Sequence, residues 1–451
     1  MKSVRPLGLL LAAAGILNCA HAVPAVANSD ADSDGISAAK GKLSAVERRL
    51  VAASVAEVPR SIELLETLVN INSGTFNLEG VAQVGQIMRR ELDGLGFQTR
   101  WIPMQEVGRS GHLVAEKKGT GRGKRMLLIG HLDTVFEKDS PFQKYVRRGE
   151  EAEGPGVNDM KDGLAIMVAA LRAMKTAGTL GAAHIIIVLS GDEERPGRPI
   201  DVARRDMREA ASRSDVALEF ESLATKDGRD VGSISRRSSS GWMLQVSAKS
   251  GHSSGMFSRD AGFGAAYEMA RILDAFRKEL REPSATYNAG LVVSGATANI
   301  DAAGASGGIT GKTNIIPAIA LVRGDLRTID NEQTGRIRRR MSEVVSQSLP
   351  NTSAKIEFEE GYPAMPPTEG NRKLLAMLNR VNAKLGLEAM GELDPLERGA
   401  GDIAFVADKL DGLIGFGAAG QGGHAPGETV ELDSFDRQIK RAALLMTVLS
   451  Q

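Results

Sequence analysis

Residues 126–135 read MLLIGHLDTV, an apolar run that leads into a histidine and an aspartate. The first four residues have the length and the flanks of a buried β-strand. His131 and Asp133 are two residues apart, so on an extended backbone their side chains point to the same side. A metal-binding imidazole needs an acceptor, often a carboxylate, at its other ring nitrogen. The stretch therefore predicts a strand that ends in a metal ligand, His131, oriented by Asp133; the alternative is an ordinary histidine at a strand end.

Short apolar runs alternate with helical patterns on both sides of this strand. A second buried strand is predicted at 184–189, and a helix at 164–177 separates the two strands. Amphipathic helices are predicted at 60–70 and 81–95. Alternation of this kind is typical of an α/β fold with a mainly parallel sheet that is covered by helices.

The order of the elements changes after about residue 237. The pattern there predicts strand, helix, strand, strand, helix and strand, the ferredoxin-like βαββαβ order. These elements are predicted at 242–249, 261–280, 287–294, 319–327, 332–348 and 354–359. From residue 362 helices and strands alternate again, and a final helix carries an apolar face from Phe435 to Leu449. We therefore predict a small domain, residues 238–360, that is inserted into a larger one formed by residues 43–237 and 361–451.

The N-terminal residues have the features of a secretory signal. Lys2 and Arg5 precede an apolar stretch at 7–17, and the motif Ala20-His21-Ala22 is typical of a cleavage site. The apolar stretch is too short to cross a bilayer as a helix. We predict a signal peptide at 1–22 and a flexible leader at 23–42.

Cleavage after Ala22 would place the mature protein in the periplasm or outside the cell. Ala27 is an alternative cleavage site. Cys19 suggests lipoprotein processing, but Asn18 before it is a poor fit to the small residue that such processing requires. Since Cys19 is the only cysteine of the chain, the mature protein would have no disulfide and would be stabilised by its core.

The composition argues against two classes of partner. The 56 basic residues balance 56 acidic ones, and no long basic run is present. Nucleic-acid binding is therefore not expected. No second apolar run is long enough to cross a bilayer, so we expect no membrane contact after signal cleavage.

Four further strings place acids or a histidine at strand ends or in glycine-rich turns. They are GPGVNDMKDG at 154–163, SGDEE at 190–194, LEFE at 218–221 and GQGGHAPGE at 420–428. A parallel sheet gathers its ligands at such places. Two metal ions that act together need a bridging carboxylate, terminal imidazole and carboxylate ligands and a nearby base. Imidazole and carboxylate without thiolate suit zinc, cobalt or manganese, so the strings predict a two-metal hydrolase.

With these strings in this order, the chain resembles the zinc metallopeptidases that include glutamate carboxypeptidase, acetylornithine deacetylase, succinyl-diaminopimelate desuccinylase and aminoacylase. The resemblance covers nearly everything after the leader and is greatest to the glutamate carboxypeptidase branch. It implies a zinc-hydrolase catalytic domain with an inserted dimerisation or lid domain, and a homodimer formed through that domain.

The resemblance also implies a ligand set for two Zn²⁺ ions per subunit, which Co²⁺ or Mn²⁺ could replace. The five ligands would be His131, Asp159, Glu194, Glu221 and His424. Asp159 would bridge the ions, with His131 and Glu221 on one of them. Glu194 and His424 would bind the other. Glu219, two residues before Glu221, is an alternative ligand.

Three residues receive catalytic roles from the same resemblance. Glu193 would be the general base, and Asp133 would orient His131. His252, in the string SGHSSG at 250–255, would reach the active site of the partner subunit and help to hold the oxyanion. An ordinary surface histidine is the alternative for His252, and His112 and His184 are expected to be structural.

Substrate contacts are implied for Asn314, Arg327 and the loop that contains Gly401. The chain departs from the family at Tyr362, where glutamate-cleaving relatives carry an arginine. Tyrosine cannot form the paired charge-assisted hydrogen bonds that arginine offers a carboxylate. Preference for glutamate is therefore open, with Arg398 as one residue that could replace the lost contact. The string RPGRP at 195–199 also departs from the Gly-Ser pair that is common in the family.

The predicted activity is hydrolysis of an amide bond next to a free carboxylate, in a small peptide or an N-acyl amino acid. A carboxypeptidase is the first choice. The alternatives are an N-acyl-amino-acid amidohydrolase or a dipeptidase. An aminopeptidase would need an acidic pocket for a free amine, which the sequence does not indicate. A non-catalytic periplasmic peptide-binding protein would not need Glu193 or a complete ligand set.

Overall fold

The computed structural model describes residues 42–301 and 304–451. The predicted signal peptide lies outside the described residues, and so does the predicted leader apart from Lys42. Among the residues described, no helix combines the length and the apolar character that a membrane crossing requires.

Helices make up much of the described chain. The α-helices are α1 Ala45–Val69, α2 Leu78–Gly94, α3 Lys161–Ala177, α4 Ile200–Ala203, α5 Arg205–Ser212, α6 Gly264–Glu279, α7 Asn331–Ser346, α8 Glu369–Leu385 and α9 Ser434–Leu449. Short 3₁₀ helices lie at Gln105–Val107, Ser253–Gly255, Pro395–Glu397 and Asp402–Phe405.

Two main sheets contain the longer strands. These strands are β1 Gln98–Pro103, β2 Gly111–Lys117, β3 Arg125–His131, β4 His184–Ser190, β5 Val216–Glu219, β6 Ser239–Ala248, β7 Thr286–Gly295, β8 Ile319–Arg327, β9 Thr352–Tyr362 and β10 Asp411–Ile414. Smaller sheets are formed by Val146–Arg148, Glu151–Glu153, Ala224–Lys226, Arg229–Gly232, Thr297–Ile300, Gly307–Thr310, Gly391–Glu392, Gly420–Gln421 and Thr429–Glu431.

The central sheet has the strand order β1-β2-β4-β3-β5-β10. The four strands from β4 to β10 are parallel to one another. The two strands at the other edge, β1 and β2, are antiparallel. The prediction of an α/β fold with a mainly parallel sheet is therefore confirmed.

The apolar run of β3 packs on both faces of this sheet because successive side chains of a strand alternate. Met126 and Leu128 belong to the core beneath α1, α3 and α9. Leu127 and Ile129 belong to a second core with α4, α5 and the short helix that contains Phe405. With both faces buried, β3 lies in the middle of the molecule, and its carboxyl end brings His131 to the edge of the sheet.

The second sheet has the order β7-β8-β6-β9, and every neighbouring pair is antiparallel. Helices α6 and α7 cover one face, where Trp242, Leu244 and Val246 alternate inward along β6. This is the ferredoxin-like arrangement predicted for the inserted element order. The chain enters this sheet at Ser239 and leaves it at Tyr362, and the two residues are paired.

Helix α1 is the main difference from the predicted elements, because it begins at Ala45 and not at residue 60. Ser44 and Glu47 form a capping box that starts the helix early. Burial of Leu50 and Leu65 extends the packed face on both sides of Pro59, which lies inside the helix. Tertiary packing thus outweighs the unfavourable effect of an interior proline.

Candidate metal centre and active site

The predicted ligands meet at the carboxyl edge of the parallel strands. His131 is the last residue of β3, Glu194 follows β4, and Glu221 follows β5. Asp159 lies in the turn before α3, and His424 lies in the glycine-rich loop before α9. The carboxyl ends of adjacent parallel strands meet at one edge, which is why strings far apart in sequence converge here.

The two histidines contact different oxygens of the same aspartate. His131 Nε2 lies 3.1 Å from Asp159 Oδ1 and 3.2 Å from Glu221 Oε1. His424 Nε2 lies 3.0 Å from Asp159 Oδ2 and 3.2 Å from Glu194 Oε2. Two groups of three ligands therefore share Asp159, and this is the arrangement that a bridging carboxylate requires.

The donor set fits divalent cations. Bonds of about 2.0–2.2 Å to a tetrahedral ion place two ligand atoms roughly 3.3 Å apart, close to the 3.0–3.2 Å seen here. Glu194 Oε1 is buried without a hydrogen-bond partner among the described residues. A cation would supply what this oxygen lacks, and imidazole with carboxylate is the chemistry of zinc, cobalt or manganese.

The charges of the cluster are strongly coupled. Burial would lower the pKa of His131, but its hydrogen bonds to Asp133, Asp159 and Glu221 raise that pKa well above its ordinary value. Hydrogen bonds to Asp159 and Glu194 raise the pKa of His424 to about 11. Burial and the nearby charge of Asp159 raise the pKa of Glu194 to about 7.

Metal binding is therefore expected to release protons. The pKa of His424, about 11, and the raised pKa of His131 mean that both imidazoles must lose a proton to become ligands. Because Glu194, with a pKa of about 7, also loses part of a proton, calorimetric titration of metal-free protein with Zn²⁺ in two buffers of different ionisation enthalpy should report release of about two to three protons at neutral pH. The affinity should fall as the pH falls. A binding heat independent of the buffer would contradict the prediction.

Glu221, and not Glu219, lies within the first group of potential ligands. Glu219 Oε1 instead accepts a hydrogen bond from the backbone N–H of Ile403 at 2.8 Å. Arg236 lies beside both carboxylates, 2.9 Å from Glu221 Oε2 and 3.4 Å from Glu219 Oε2. The structure thus gives the two glutamates different contacts, one with His131 and the other with the backbone beneath the site.

Asp133, predicted to orient His131, lies nearest to that imidazole through its backbone oxygen. The chain bends at Leu132, and His131 Nδ1 lies 3.0 Å from the backbone oxygen of Asp133 but 3.5 Å from its carboxylate. The carboxylate oxygens accept hydrogen bonds from the backbone N–H groups of Glu193 and Glu194, at 3.0 and 3.2 Å. One residue therefore fixes both His131 and the pair of glutamates.

Glu428 is a residue of the site whose role the sequence did not indicate. Its buried carboxylate accepts hydrogen bonds from the backbone N–H groups of Gly156, Asn158 and Asp159, at 3.1, 2.7 and 2.8 Å. The loop that carries His424 thereby holds the turn that presents Asp159. The only signal was an acid four residues after His424 in a glycine-rich string.

Substitution Glu428→Gln should weaken metal binding without unfolding the protein. The amide keeps the shape of the side chain but places an NH₂ group where a carboxylate oxygen accepts from the turn. Loss of such outer partners typically costs 10- to 100-fold in metal affinity, and we expect a loss of about this size. Competition with a chelator measures it, with Glu431→Gln as the matched control on the same segment. Equal affinities for the two variants would refute the role.

An open cavity of 530 Å³ lies over the candidate ligands. Residues of the second sheet line it together with loops at the carboxyl edge of the central sheet. Its lining includes Glu193, Arg327, Tyr362 and Arg398 as well as ligands of both groups. Arg398 Nη2 donates to the backbone oxygen of Ser222 at 2.7 Å. Burial raises the pKa of Tyr362, so its hydroxyl stays protonated.

His252 and Asn314 lie outside the residues that line this cavity. They are neighbours on the inserted element, with Asn314 Nδ2 3.4 Å from His252 Nε2. The role of His252 in the active site of a partner subunit stays a prediction. Gly401 also lies outside the lining, which includes its neighbours Gly399 and Ala400. A Cβ at Gly401 would lie 2.5 Å from the Arg236 guanidinium carbon. Glycine is therefore required at this position for the close approach of Arg236.

His112 and His184, which the sequence analysis expected to be structural, make contacts away from the candidate ligands. His112 is buried, with Nε2 3.2 Å from Asp192 Oδ1. His184 Nε2 lies 3.2 Å from the backbone oxygen of Gly121. Neither belongs to a potential ligand group.

Residues 127–447 match the family model of peptidase family M20/M25/M40. The chain belongs to this family. The protein is therefore a metal-dependent peptidase or amidohydrolase, and the family predicted from the sequence is confirmed. Its fold, a catalytic domain with a further domain of the dimerisation type, is that of the family.

Two curated proteins, a carboxypeptidase and a desuccinylase, are similar in sequence to this chain. Carboxypeptidase G2 of Pseudomonas sp. (strain RS-16) is 28% identical over 417 residues, which cover 88% of this chain and 91% of that protein. A succinyl-diaminopimelate desuccinylase of Novosphingobium aromaticivorans is 28% identical over 311 residues, 66% of this chain and 76% of that protein.

Solved structures share the fold. The aminopeptidase PepT of Bacillus cereus has a TM-score of 0.69 at 16% identity, with 87% of this chain and 99% of that chain covered. The YXEP protein of Bacillus subtilis, described as a dinuclear metal-binding peptidase of the M20 family, has a TM-score of 0.59 at 16% identity. The match covers 87% of this chain and 98% of that one.

Proposed function

We propose that the protein is a two-zinc metallohydrolase that cleaves an amide bond next to a free carboxylate, and that it acts as a carboxypeptidase. The proposal rests on one observation. The two carboxylate oxygens of Asp159 contact His131 and His424, which belong to separate groups of potential ligands. The relation to carboxypeptidase G2 supports the reaction class. The fold shared with a dinuclear metal-binding peptidase is consistent with two ions.

Each metal position has its own ligands. His131 and Glu221 would hold one ion, Glu194 and His424 the other, and Asp159 both. When bound, the ions supply Lewis acidity toward the amide carbonyl and lower the pKa of a water molecule. Zinc is proposed because borderline imidazole and carboxylate donors suit it, with Co²⁺ or Mn²⁺ as substitutes.

Glu193 is the proposed general base. It lines the cavity beside the ligands, and its carboxylate makes no hydrogen bond to the protein among the described residues. Burial raises its pKa, which moves it toward the range in which a carboxylate can both take and return a proton near neutral pH. Glu193 would remove a proton from the attacking water and deliver it to the leaving nitrogen.

The cationic groups of the cavity favour a substrate with a free carboxylate. Arg236 is buried and paired with Glu219 and Glu221. Arg327 and Arg398 also line the cavity, and a guanidinium binds a carboxylate through two parallel hydrogen bonds. We assign recognition of the free carboxylate to these two arginines.

An aminopeptidase activity fits the cavity less well. Binding of a free amine requires an acid that is neither a ligand nor the general base. Among the described residues, the one further acid in the cavity lining is Glu397, and its carboxylate is paired with Lys226 at 2.5 Å.

An N-acyl-amino-acid amidohydrolase or a dipeptidase remains the alternative, because these enzymes need the same amide and carboxylate contacts. The similarity to a desuccinylase supports the amidohydrolase.

The proposal includes a location and an assembly. The N-terminal sequence favours export to the periplasm or beyond, with cleavage near Ala22. Assembly as a homodimer through the inserted domain is proposed from the family resemblance. N-terminal sequencing of the exported protein and its mass in solution test these two points.

Zinc-loaded protein should hydrolyse benzoyl- or acetyl-capped amino acids or short peptides only when the carboxylate is free. Glu193→Gln should lower kcat by about 10²- to 10⁴-fold, the usual contribution of a general base, at unchanged zinc content. Glu397→Gln is the matched control in the same cavity and should retain activity. Turnover and metal content are measured on the same preparations.

Two results would contradict parts of this proposal. Equal hydrolysis of amidated and free-carboxylate substrates would reject recognition of the carboxylate. Full activity of Glu193→Gln with both ions bound would reject Glu193 as the base. The acyl group and side chain of the best substrate separate carboxypeptidase, dipeptidase and amidohydrolase.

Arg398→Gln should raise KM for such substrates by roughly tenfold or more, since a hydrogen bond to a charged group contributes about 1.5–3 kcal/mol. The value of kcat should change less, because Arg398 donates its hydrogen bond to the backbone oxygen of Ser222 and lies farther, 3.7 Å, from the nearest candidate ligand oxygen, Glu221 Oε2. Arg229→Gln, at an exposed position outside the cavity, is the control. An unchanged KM would remove Arg398 from substrate binding.

A further inference from the structure

Tyr362 lies where the chain leaves the inserted sheet and re-enters the larger domain. It is the last residue of β9 and pairs with Ser239, the first residue of β6. Three residues further on, Met365 exchanges two backbone hydrogen bonds with Arg236, at 2.8 and 2.9 Å. The entering and leaving segments thus form a short antiparallel ribbon at the crossing. From this ribbon Tyr362 reaches the loop at 191–199, which carries Glu193 and is called the catalytic loop below.

The hydroxyl of Tyr362 has two defined partners. It donates to the backbone oxygen of Glu193 at 2.5 Å and accepts from Arg204 Nη2 at 3.1 Å. Its ring packs against Phe405, with centroids 4.9 Å apart. The hydroxyl proton is therefore directed at the peptide that follows Glu193.

Arg204 is itself held rigidly. It is completely buried, Nη1 donates to Asp192 Oδ1 at 2.6 Å, and Nη2 donates to the backbone oxygen of Asp192 at 3.1 Å. Nε donates to Asp402 Oδ1 at 2.8 Å. Because the guanidinium is planar and has its other contacts fixed, the nitrogen that faces Tyr362 has a fixed position.

The orientation of Glu193 depends on these contacts. Its backbone N–H is bound by Asp133 at 3.0 Å, and its backbone oxygen is bound by Tyr362. In the part of the chain that the structure describes, the Glu193 carboxylate has no hydrogen bond of its own to the protein. The backbone therefore sets the direction of the side chain, and Tyr362 supplies one of the two contacts that fix that backbone.

We infer that Tyr362 is a positioning residue for the general base, which it holds through the Glu193 peptide at the crossing between the inserted sheet and the catalytic loop. The inference rests on the proposed function for the role of Glu193. The competing explanation is that the hydroxyl only stabilises the fold. Tyr287 offers the comparison, since its hydroxyl also donates to a backbone oxygen, that of Phe276 at 3.0 Å, within the inserted element.

The test compares Tyr362→Phe with Tyr287→Phe in the full-length, zinc-loaded protein. Each variant loses one hydroxyl that donates to a backbone oxygen. Tyr362→Phe should lower kcat by roughly 10- to 100-fold with little change in KM, as expected for a displaced catalytic group. Zinc content should be unchanged, and Tyr287→Phe should keep the wild-type kcat. An unaltered kcat in Tyr362→Phe, or an equal loss in both variants, overturns the inference.

A double-mutant cycle separates action through Glu193 from any other effect. In the Glu193→Gln background, Tyr362→Phe should cause no further loss of the remaining turnover, because coupled residues are not additive. A full additional loss would show that Tyr362 acts elsewhere.

Hydrogen exchange provides a readout without catalysis. Peptides that cover residues 190–197 should exchange faster in Tyr362→Phe and at the wild-type rate in Tyr287→Phe. Unchanged exchange in Tyr362→Phe would refute the inference even if the enzyme is active. Absence of any turnover by the wild-type protein would instead refute the proposed function, while the exchange result would still decide whether Tyr362 holds the loop.

Discussion

The contact of one carboxylate with two imidazoles organises the whole site. Asp159 touches His131 through one oxygen and His424 through the other, so the end of β3 and the loop before α9 must meet at the turn before α3. Glu428 secures that turn through its three backbone N–H groups. The parallel sheet is needed because it brings the remaining ligands to the same edge as His131.

The buried carboxylates of the site need positive charge beside them, and two buried arginines supply it. A buried carboxylate is costly unless it is paired or hydrogen-bonded. Arg236 lies between Glu219 and Glu221, and Arg204 lies between Asp192 and Asp402. Buried ion pairs of this kind contribute little net stability. Both arginines instead fix the segments that carry a ligand or the general base, which accounts for their place beneath the site.

Elements whose signal is local were predictable from the sequence. The strand β3, the helix α3 and the ferredoxin-like order have apolar periodicities that do not depend on distant residues. The strings that hold the candidate ligands were recognisable because they follow strands or lie in glycine-rich turns, whereas the role of each residue came from the family resemblance. The start of α1 was not, because the capping box at Ser44 and the packing of Leu50 outweigh Pro59. The bend at Leu132 was not predicted either; there the backbone N–H bonds to the oxygen of Ser190, on the neighbouring strand, at 2.7 Å.

Contacts between residues far apart in sequence were the part that could not be predicted. Glu428 binds a turn about 270 positions earlier, and nothing in its own string specifies that partner. Arg204 and Tyr362 are joined across 158 positions. Propensity and spacing describe which side chains a segment offers, whereas the pairing of two such segments is decided by the tertiary fold that brings them together.

Tyr362 has a structural use at the position where the chain departs from its glutamate-cleaving relatives. The resemblance places an arginine near this position, where it would bind a substrate carboxylate. Here a neutral hydroxyl lies between a buried guanidinium and the Glu193 peptide, so its hydrogen-bonding capacity is used within the protein. In the proposed function, carboxylate recognition then falls to Arg327 and Arg398, which come from the other strands and loops of the cavity. Positioning of the base and recognition of the substrate are thereby carried by different residues, and substrate preference can change at Arg398 without moving Glu193.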